Sequence, residues 1–384
     1  MTGRKTNICL NMIVKNEVKV LPRLIRSVKD YIDYYVIVDT GSTDDTIALI
    51  KREMNAYGIE GEVHERPWVN FGVNRQQALE LAIAADKADF LLFIDADEEL
   101  AVSDSKFFEK LQPGVTYEIE KHQAELRYAV HHLVNVRAGR YRWEGPVHNY
   151  LDELGEELPH EVRKDVWIIY HDAEGAKSHG VSQEEKYLRD ANVLEAELAR
   201  DPDNARNQFY LAQSYRDAGQ LERALECYKK RSSMEQGWDE ERFVAQLEAG
   251  RICVKLEKSE ATVLSELLAA YALRPTRAEP LYELARYYRG KRGYAMATLF
   301  AKAGLGTPRP NDQLFIVEGV YSWRLLDELS VASYWVEDYA TSKSACETLL
   351  ERVEAGLTVP EDDLERIRDN LAAANEELGL TEQS

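Results

Sequence analysis

Two aspartates separated by one alanine, Asp95 and Asp97, follow an uninterrupted apolar run in this 384-residue sequence. The run, residues 90–94, is typical of a strand buried on both faces. The aspartates would then lie at its carboxyl end, where open α/β sheets bind ligands. Two carboxylates placed there can hold a hard divalent cation, which in turn holds a diphosphate. A simpler alternative is that Asp97 caps a helix that begins at Glu98.

The first hundred residues alternate strand patterns with helix patterns. Strands are predicted at 8–14, 34–38, 61–65 and 90–94, and helices at 21–28, after the polar stretch 42–46, and at 73–85. This order predicts a parallel, doubly wound sheet. Asp39 would lie at the carboxyl end of the second strand, where its carboxylate could accept hydrogen bonds from a base or a ribose.

From Tyr117 to Tyr170 the apolar residues recur with period two, which predicts antiparallel strands that complete the sheet. Neighbouring residues of a strand point to opposite faces, so His131 and His132 cannot both contact one metal ion.

Beyond about residue 174 the sequence reads as helical and repeats itself. The repeated positions lie 73 residues apart and pair Phe209, Leu211, Ala212, Tyr215 and Ala224 with Tyr282, Leu284, Ala285, Tyr288 and Ala297. A diverged unit at 241–274 fits between them, as in tetratricopeptide repeats. We therefore expect an α/β domain at 1–175, tetratricopeptide-like repeats at 176–310 and a helical extension or cap at 311–384.

Composition narrows the classes of function. The formal charge of −20, from 68 acidic and 48 basic residues, argues against a broad nucleic-acid surface, although a local basic groove remains open. The four scattered cysteines fit buried thiols in a reducing compartment. With no signal-peptide pattern and no apolar stretch near eighteen residues, the expectation is a cytoplasmic protein without a membrane span.

Several motifs, taken in order, resemble family-2 glycosyltransferases of the GT-A fold. They are residues 12–17 (MIVKNE), 38–46 (VDTGSTDDT), Asn74-Arg75 at the head of a helix, and 94–98 (IDADE). Residues 141–148 (YRWEGPVH), the strand ending at His171 and the helical repeats are similar to a bacterial and phage subgroup that includes peptide glycosyltransferases. The joint order of these motifs is far more specific than any one of them.

The resemblance implies a site for a nucleotide-sugar donor, with UDP as the expected carrier. Asp39 and Glu17 would bind the nucleoside, Arg75 would approach the diphosphate, and Asp95 and Asp97 would hold Mn²⁺ or Mg²⁺, with Asp95 also touching the donor. His171 and His148 are candidates for a further metal ligand, with a slight preference for His171. A structural hydrogen-bonding role is the alternative for each histidine.

An inverting enzyme also needs a base for the acceptor nucleophile. Glu144 is the candidate, because Trp143 would wall the site and Gly145-Pro146 would aim the loop inward; a solvated loop carboxylate is the alternative. The predicted acceptor is a macromolecule such as a peptide or protein, held by the repeats, and the repeats could also form a homodimer. Two other classes stay open: an inactive binding scaffold, and, with less support, a nucleotidyltransferase.

Overall fold

The computed structural model describes residues 6–123, 126–156, 158–171 and 182–380, and the side chains of all of these except 123 and 126–130. Within this part the chain divides into two compact units, Met1–Arg189 and Asp190–Ser384. The predicted boundary between residues 175 and 176 lies outside the described residues. None of the described helices combines the length and the apolar character that a membrane span requires.

The first unit begins with the predicted alternation. Its elements are β1 (Ile8–Val14), α1 (Leu21–Val28), β2 (Tyr34–Asp39), α2 (Thr46–Ala56), β3 (Glu60–Glu65), α3 (Phe71–Ala85) and β4 (Phe90–Phe93). The four strands are parallel, in the order β3-β2-β1-β4. Apolar residues of α1 and α2 pack on one face of the sheet and those of α3 on the other. The predicted doubly wound arrangement is therefore confirmed.

The rest of the sheet follows β4. Residues 98–109 form β5 (Glu98–Val102) and the short helix α4 (Lys106–Glu109), and the segment with period two forms β6 (Thr116–Gln123), β7 (Leu126–Asn135) and β10 (His160–Tyr170). A separate hairpin pairs β8 (Tyr141–Glu144) with β9 (Tyr150–Glu153). The complete eight-stranded sheet runs β3-β2-β1-β4-β7-β6-β10-β5. The strand β7 is antiparallel to β4 and β6, as expected, but β10 is parallel to β6, so the antiparallel expectation is wrong for that pair.

One local alternative is wrong. Residues 98–102 form a strand, not a helix capped by Asp97. The reason is tertiary, since β5 pairs with β10 from Glu98↔Tyr170 to Val102↔Val166. Leu100 then joins the core on the face that α1 covers.

The second unit is made of antiparallel helix pairs. After α5 (Gln183–Leu198) these are α6 (Ala205–Asp217) with α7 (Leu221–Ser233), α8 (Asp239–Lys255) with α9 (Glu260–Leu273), α10 (Glu279–Gly290) with α11 (Tyr294–Leu305), and α12 (Leu325–Trp335) with α13 (Tyr339–Glu354). A π-helical turn, Val320–Arg324, precedes α12, and α14 (Glu361–Glu377) ends the series. The diverged middle unit expected at 241–274 corresponds to the α8–α9 pair. The repeated positions Phe209 and Tyr215 of α6 and Ala285 of α10, on either side of it, are buried as repeat packing requires.

Candidate functional site

The carboxyl ends of three adjacent parallel strands carry the candidate site. Glu17 follows β1, Asp39 ends β2, and Asp95 and Asp97 follow β4. Because these strands are neighbours in the order β2-β1-β4, their ends meet at one edge of the sheet. The sequence motifs, which are up to eighty residues apart, are thereby brought together.

Hydrogen bonds between loops fix the side of this edge formed by β1 and β2. The Asn16 backbone N–H donates to Ser42 Oγ at 2.9 Å, and Asn16 Oδ1 accepts from the Thr43 N–H at 2.7 Å. The Glu17 N–H donates to Thr46 Oγ1 at 2.8 Å. Asn16 has a φ of 58°, a conformation that asparagine tolerates better than most residues. The loop after β1 is therefore tied to the loop after β2.

Asp39 is buried, and its two oxygens have different surroundings. Oδ1 accepts from the N–H groups of Gly41 and Ser42 at 2.9 and 2.8 Å, which closes the turn before α2. Oδ2 is buried and has no hydrogen-bond partner among the described residues. An unpaired buried carboxylate oxygen is costly unless a ligand or water supplies a donor.

Arg75, from the second turn of α3, reaches across to the loop after β4. Its Nη2 donates to Asp95 Oδ1 at 2.6 Å and to Oδ2 at 2.8 Å. The guanidinium carbon lies 4.9 Å from the centre of the Trp143 ring, which is cation–π distance. Arg75, Asp95 and Trp143 line a narrow crevice at the ends of β1 and β4.

The two aspartates differ in their electrostatic surroundings. Burial raises the pKa of Asp95, but the positive charges of Arg75 and Lys121 outweigh it, so that the pKa falls below the usual value. The pKa of Asp97 is raised, first by burial and then by the negative charge of Asp95. A cation between the two carboxylates would remove this repulsion.

A buried ion pair behind the aspartates was missed by sequence reasoning. Glu98 is buried and its Oε1 pairs with Nζ of Lys121 from β6, while Oε2 accepts from the Asp95 N–H at 2.8 Å. Burial raises the pKa of Glu98 to about 7, and the charge of Asp95 acts in the same direction. Glu98 thus holds the backbone of Asp95. Only the position of Lys121 in an alternating strand hinted at this contact.

Of the two adjacent histidines that were not expected to contact one metal together, His132 lies beside the end of β4. Its Nδ1 lies 2.6 Å from the Phe93 carbonyl oxygen and must carry the proton, because a carbonyl only accepts. Nε2 is buried and has no partner among the described residues. Burial, helped by the charge of Lys121, lowers the pKa of His132 to about 3. The ring is therefore neutral.

Of the three remaining predicted residues, two lie beside the site and one lies in an exposed turn. The backbone N–H of His171 donates to the Asp97 carbonyl at 3.4 Å, and the ring Nε2 of His171 lies 3.0 Å from Glu99 Oε2. Glu144 ends β8, beside Trp143, and pairs with Arg142. His148 lies exposed in the turn between β8 and β9 with a φ of 49°. His171 is thus brought beside Asp97, and Glu144 beside the crevice.

The residues present fit a divalent cation. The negative charges of three carboxylates are balanced by three cationic side chains. The carboxylates are Asp95, Asp97 and Glu98, and the cations are Lys121, Arg75 and Arg23. Arg23 Nη2 donates to the Asp97 backbone carbonyl at 3.3 Å. A divalent ion would therefore leave the site with a positive charge, which suits a diphosphate.

The comparisons with known proteins agree with this geometry. Residues 9–141 match the family model described as glycosyl transferase family 2. The SPbeta prophage-derived glycosyltransferase SunS of Bacillus subtilis is 24% identical over 234 residues, which cover 58% of this chain and 52% of that protein. An uncharacterized glycosyltransferase of Rickettsia felis is 31% identical over 122 residues, covering 32% of this chain and 37% of that protein.

Two proteins described as containing tetratricopeptide repeats also match this chain. A TPR repeat-containing protein of Synechococcus elongatus is 42% identical over 94 residues, which cover 24% of this chain and 21% of that protein. The crystal structure of a tetratricopeptide repeat protein from Parabacteroides merdae has a TM-score of 0.36 and 15% identity, covering 51% of this chain and 68% of that one. The chain spans at most about half, 52%, of the length of these curated relatives. It carries a family-2 glycosyltransferase domain at residues 9–141, joined to TPR-like helical repeats.

Proposed function

We propose that this protein is a metal-dependent glycosyltransferase that moves a sugar from a nucleoside-diphosphate sugar, with UDP as the carrier, to a macromolecular acceptor. The observation that carries the proposal is the meeting of Asp39, Arg75, Asp95 and Asp97 at the carboxyl edge of β2, β1 and β4. Acidic groups for a cation, a cationic side chain for a diphosphate and a buried acceptor for a nucleoside lie side by side there.

Each residue has a role in this proposal. Asp39 Oδ2 accepts a hydrogen bond from the base or ribose, with Glu17 on the neighbouring loop. Asp95 and Asp97 hold Mn²⁺ or Mg²⁺, and His171, next to Asp97, is favoured over the exposed His148 as a further ligand. When bound, the metal neutralises the negative charge that develops on the leaving diphosphate.

Arg75 would have different partners in the free protein and in the donor complex. In the structure it neutralises Asp95. With Asp95 bound to a cation, the Arg75 guanidinium would be available to the diphosphate, with the Trp143 ring keeping its plane in position. The same arginine would thereby serve both the Asp95 carboxylate and the donor complex.

The proposed reaction inverts the configuration of the sugar and uses Glu144 as the base. Glu144 follows Trp143 directly and is about one-third exposed (34%), so an acceptor hydroxyl or amide can reach it. Its partner Arg142 is exposed and can release it. We propose that the acceptor is a peptide or protein bound along the repeats. There, arginines on the first helix of one repeat form ion pairs with acidic residues on the first helix of the next, for example Arg206 with Glu241 at 3.0 Å and Arg251 with Glu283 at 2.8 Å.

A thermal-shift and donor-hydrolysis experiment tests the proposal. The protein is melted with UDP-, GDP- and dTDP-sugars, each with and without Mn²⁺. A ligand at about a hundred times its Kd adds about 2.7 kcal/mol, which is a rise on the order of 5 to 10 °C for a domain of this size. We expect this rise for a UDP-sugar with Mn²⁺, together with slow release of UDP.

Asp97→Asn should abolish the Mn²⁺-dependent part of the shift and lower UDP release by about 10² to 10³. Asp30→Asn is the matched control, because Asp30 is an exposed aspartate of the same unit that pairs only locally with Lys29. If Asp97→Asn responds as the unchanged protein does, the metal assignment is wrong. If no nucleotide sugar shifts the melting of the unchanged protein, the domain acts as a binding scaffold instead.

A further inference from the structure

Three side chains from separate strands converge away from the donor site. They are Glu118 of β6, His131 of β7 and His160 of β10, and one ligand atom from each lies within 4.8 Å of the others. His131 Nε2 is 3.2 Å and His160 Nδ1 is 3.1 Å from the same oxygen, Glu118 Oε1. The two imidazole rings meet edge to face, with centres 4.7 Å apart.

The sheet register explains why these residues meet. Glu118 lies opposite His131 in the antiparallel β6–β7 pair. In the parallel β6–β10 pair Glu118 lies opposite Val162, and His160 is two residues before Val162, on the same face of its strand. Lys121, which contacts Glu98 in the donor site, is three residues after Glu118 and therefore points to the other face of β6. The cluster is thus separate from the proposed donor site.

A fourth residue orients one of the histidines. Glu153, at the end of β9, has a side chain only 5% exposed, and its Oε2 lies 3.0 Å from His160 Nε2. Glu153 Oε1 in turn accepts from the Leu158 N–H at 3.2 Å. Histidines that bind metals commonly donate their other ring N–H to a carboxylate, which fixes the tautomer and leaves the first nitrogen free to bind. His160 has this arrangement, with Nδ1 directed at the cluster.

Ion pairing among these side chains explains the cluster less completely than a bound cation would. Burial works against a charge on His160, but hydrogen bonds to Glu118 and Glu153 outweigh it and raise its pKa. That explains a charged His160 between two acids. It does not by itself explain why ring nitrogens of both histidines converge on the single oxygen Glu118 Oε1. One cation would serve as the common partner of all three groups.

We propose that Glu118, His131 and His160 bind one Zn²⁺ ion, with Glu153 orienting His160. Two imidazole nitrogens and one carboxylate favour zinc over Mg²⁺ or Ca²⁺, which prefer oxygen ligands throughout. Three protein ligands leave the fourth tetrahedral position to water or to a group from a ligand. The ion would join the consecutive strands β6 and β7 to β10, which comes later in the chain, and so stabilise the folded state.

The test is a titration of the full chain with Zn²⁺ against a chromophoric chelator, in an Asp97→Asn background that removes the proposed donor-site metal. We expect one Zn²⁺ per chain in this background. Adding His131→Asn or His160→Asn should weaken binding by about 100-fold or more, and Glu153→Gln by about 10- to 100-fold, because it removes only the orienting carboxylate. His64→Asn is the control, since His64 forms a simple pair with Glu62 at 2.7 Å.

Two further measurements separate loss of binding from loss of folding. Circular dichroism of each metal-free variant shows whether it is folded, and X-ray absorption of the zinc-loaded Asp97→Asn protein should show two imidazole ligands without requiring a ligand variant. If the Asp97→Asn protein binds no zinc, or binds zinc with no imidazole ligand, or keeps its affinity after His131→Asn, the cluster is an ion-pair network and the proposal is overturned. None of these outcomes depends on glycosyl transfer.

Discussion

At the scale of single residues, the site is marked by buried polar atoms that lack partners. Asp39 Oδ2, His132 Nε2 and Trp143 Nε1 are all buried without a hydrogen-bond partner among the described residues. Buried polar atoms are nearly always paired in folded proteins, so an unpaired group indicates a place completed by a ligand, an ion or water. Two acceptors and one donor around one edge of the sheet are a selective set for a polar ligand.

Asp39→Asn tests whether Asp39 Oδ2 accepts a hydrogen bond from the donor. The amide oxygen can still accept from Gly41 and Ser42, so the turn is kept, while an NH₂ group replaces Oδ2. A lost hydrogen bond to a charged group costs about 1.5 to 3 kcal/mol. We therefore expect the Kd for the donor, measured by calorimetry, to rise about 10- to 100-fold.

Asp45→Asn is the control for this change, because Asp45 is exposed at the start of α2 and its side chain makes no capping hydrogen bond. Equal donor affinity in Asp39→Asn and the unchanged protein would remove Asp39 from the nucleoside site.

At the scale of elements, the first turns of α3 and the end of β8 are held together by specific contacts. The backbone N–H of Trp143 donates to Gln76 Oε1 at 2.9 Å, and Arg75 lies over the Trp143 ring. Gly72 allows the backbone of Gly145 to come close, since a Cβ at Gly72 would lie 2.2 Å from the Gly145 carbonyl oxygen. The helix that carries Arg75 therefore sets the position of the loop that carries Glu144.

Gly72→Ala should push this loop away from α3. The obstacle is backbone, which cannot rotate aside as a flexible side chain would. We expect a loss of about 1 to 3 kcal/mol of stability, as for overpacked sites, and a fall in sugar transfer that exceeds the fall in donor binding. Melting curves and transfer assays measure the two effects.

Gly290→Ala is the control, because a Cβ at this helix position meets nothing within 4 Å. It should lower neither the stability nor the rate of sugar transfer. Full transfer activity in Gly72→Ala would show that the loop position does not matter for catalysis.

At the scale of the whole molecule, the helical unit depends on ion pairs between successive helix pairs. Arg277 is fully buried and contacts Glu279, also buried, at 2.8 Å, and Asp312 at 3.2 Å. Asp312 also accepts from Arg274 at 2.5 Å. These contacts attach the connection before the π-helical turn to the connection between α9 and α10. Removing one member leaves a buried charge without its full set of partners.

The pH dependence of this unit follows from Asp312. Its hydrogen bond to Arg274 lowers its pKa below the usual value for an aspartate. A lowered pKa means that the carboxylate contributes stability above about pH 4, and that this contribution is lost as the pH falls through the folded-state pKa. Asp312→Asn should cost about 3 kcal/mol at pH 7 and clearly less as the pH is lowered towards about 3, measured by urea unfolding at both values.

Asp369→Asn serves as the control, because Asp369 is an exposed aspartate of α14 in the same unit. An equal destabilisation by Asp312→Asn at both pH values would contradict the electrostatic explanation.

The sequence by itself determined the elements of the first hundred residues and the strand ends that carry Asp39, Asp95 and Asp97. Periodicity and strand termini are local properties, so β1 and α1 begin and end where the pattern predicts and β4 differs by one residue. The helical region was readable as a repeat from the 73-residue spacing between two of its units, although the unit between them has diverged.

Only the tertiary structure decided which strands are neighbours beyond β4 and which side chains meet. The strand β5 pairs with β10, far along the chain, and this pairing overrode the helical signal at Glu98. The contacts of Lys121 with Glu98 and of His131 with His160 likewise depend on register between distant strands. A shift of one residue would turn each side chain to the opposite face, and no local pattern encodes that choice.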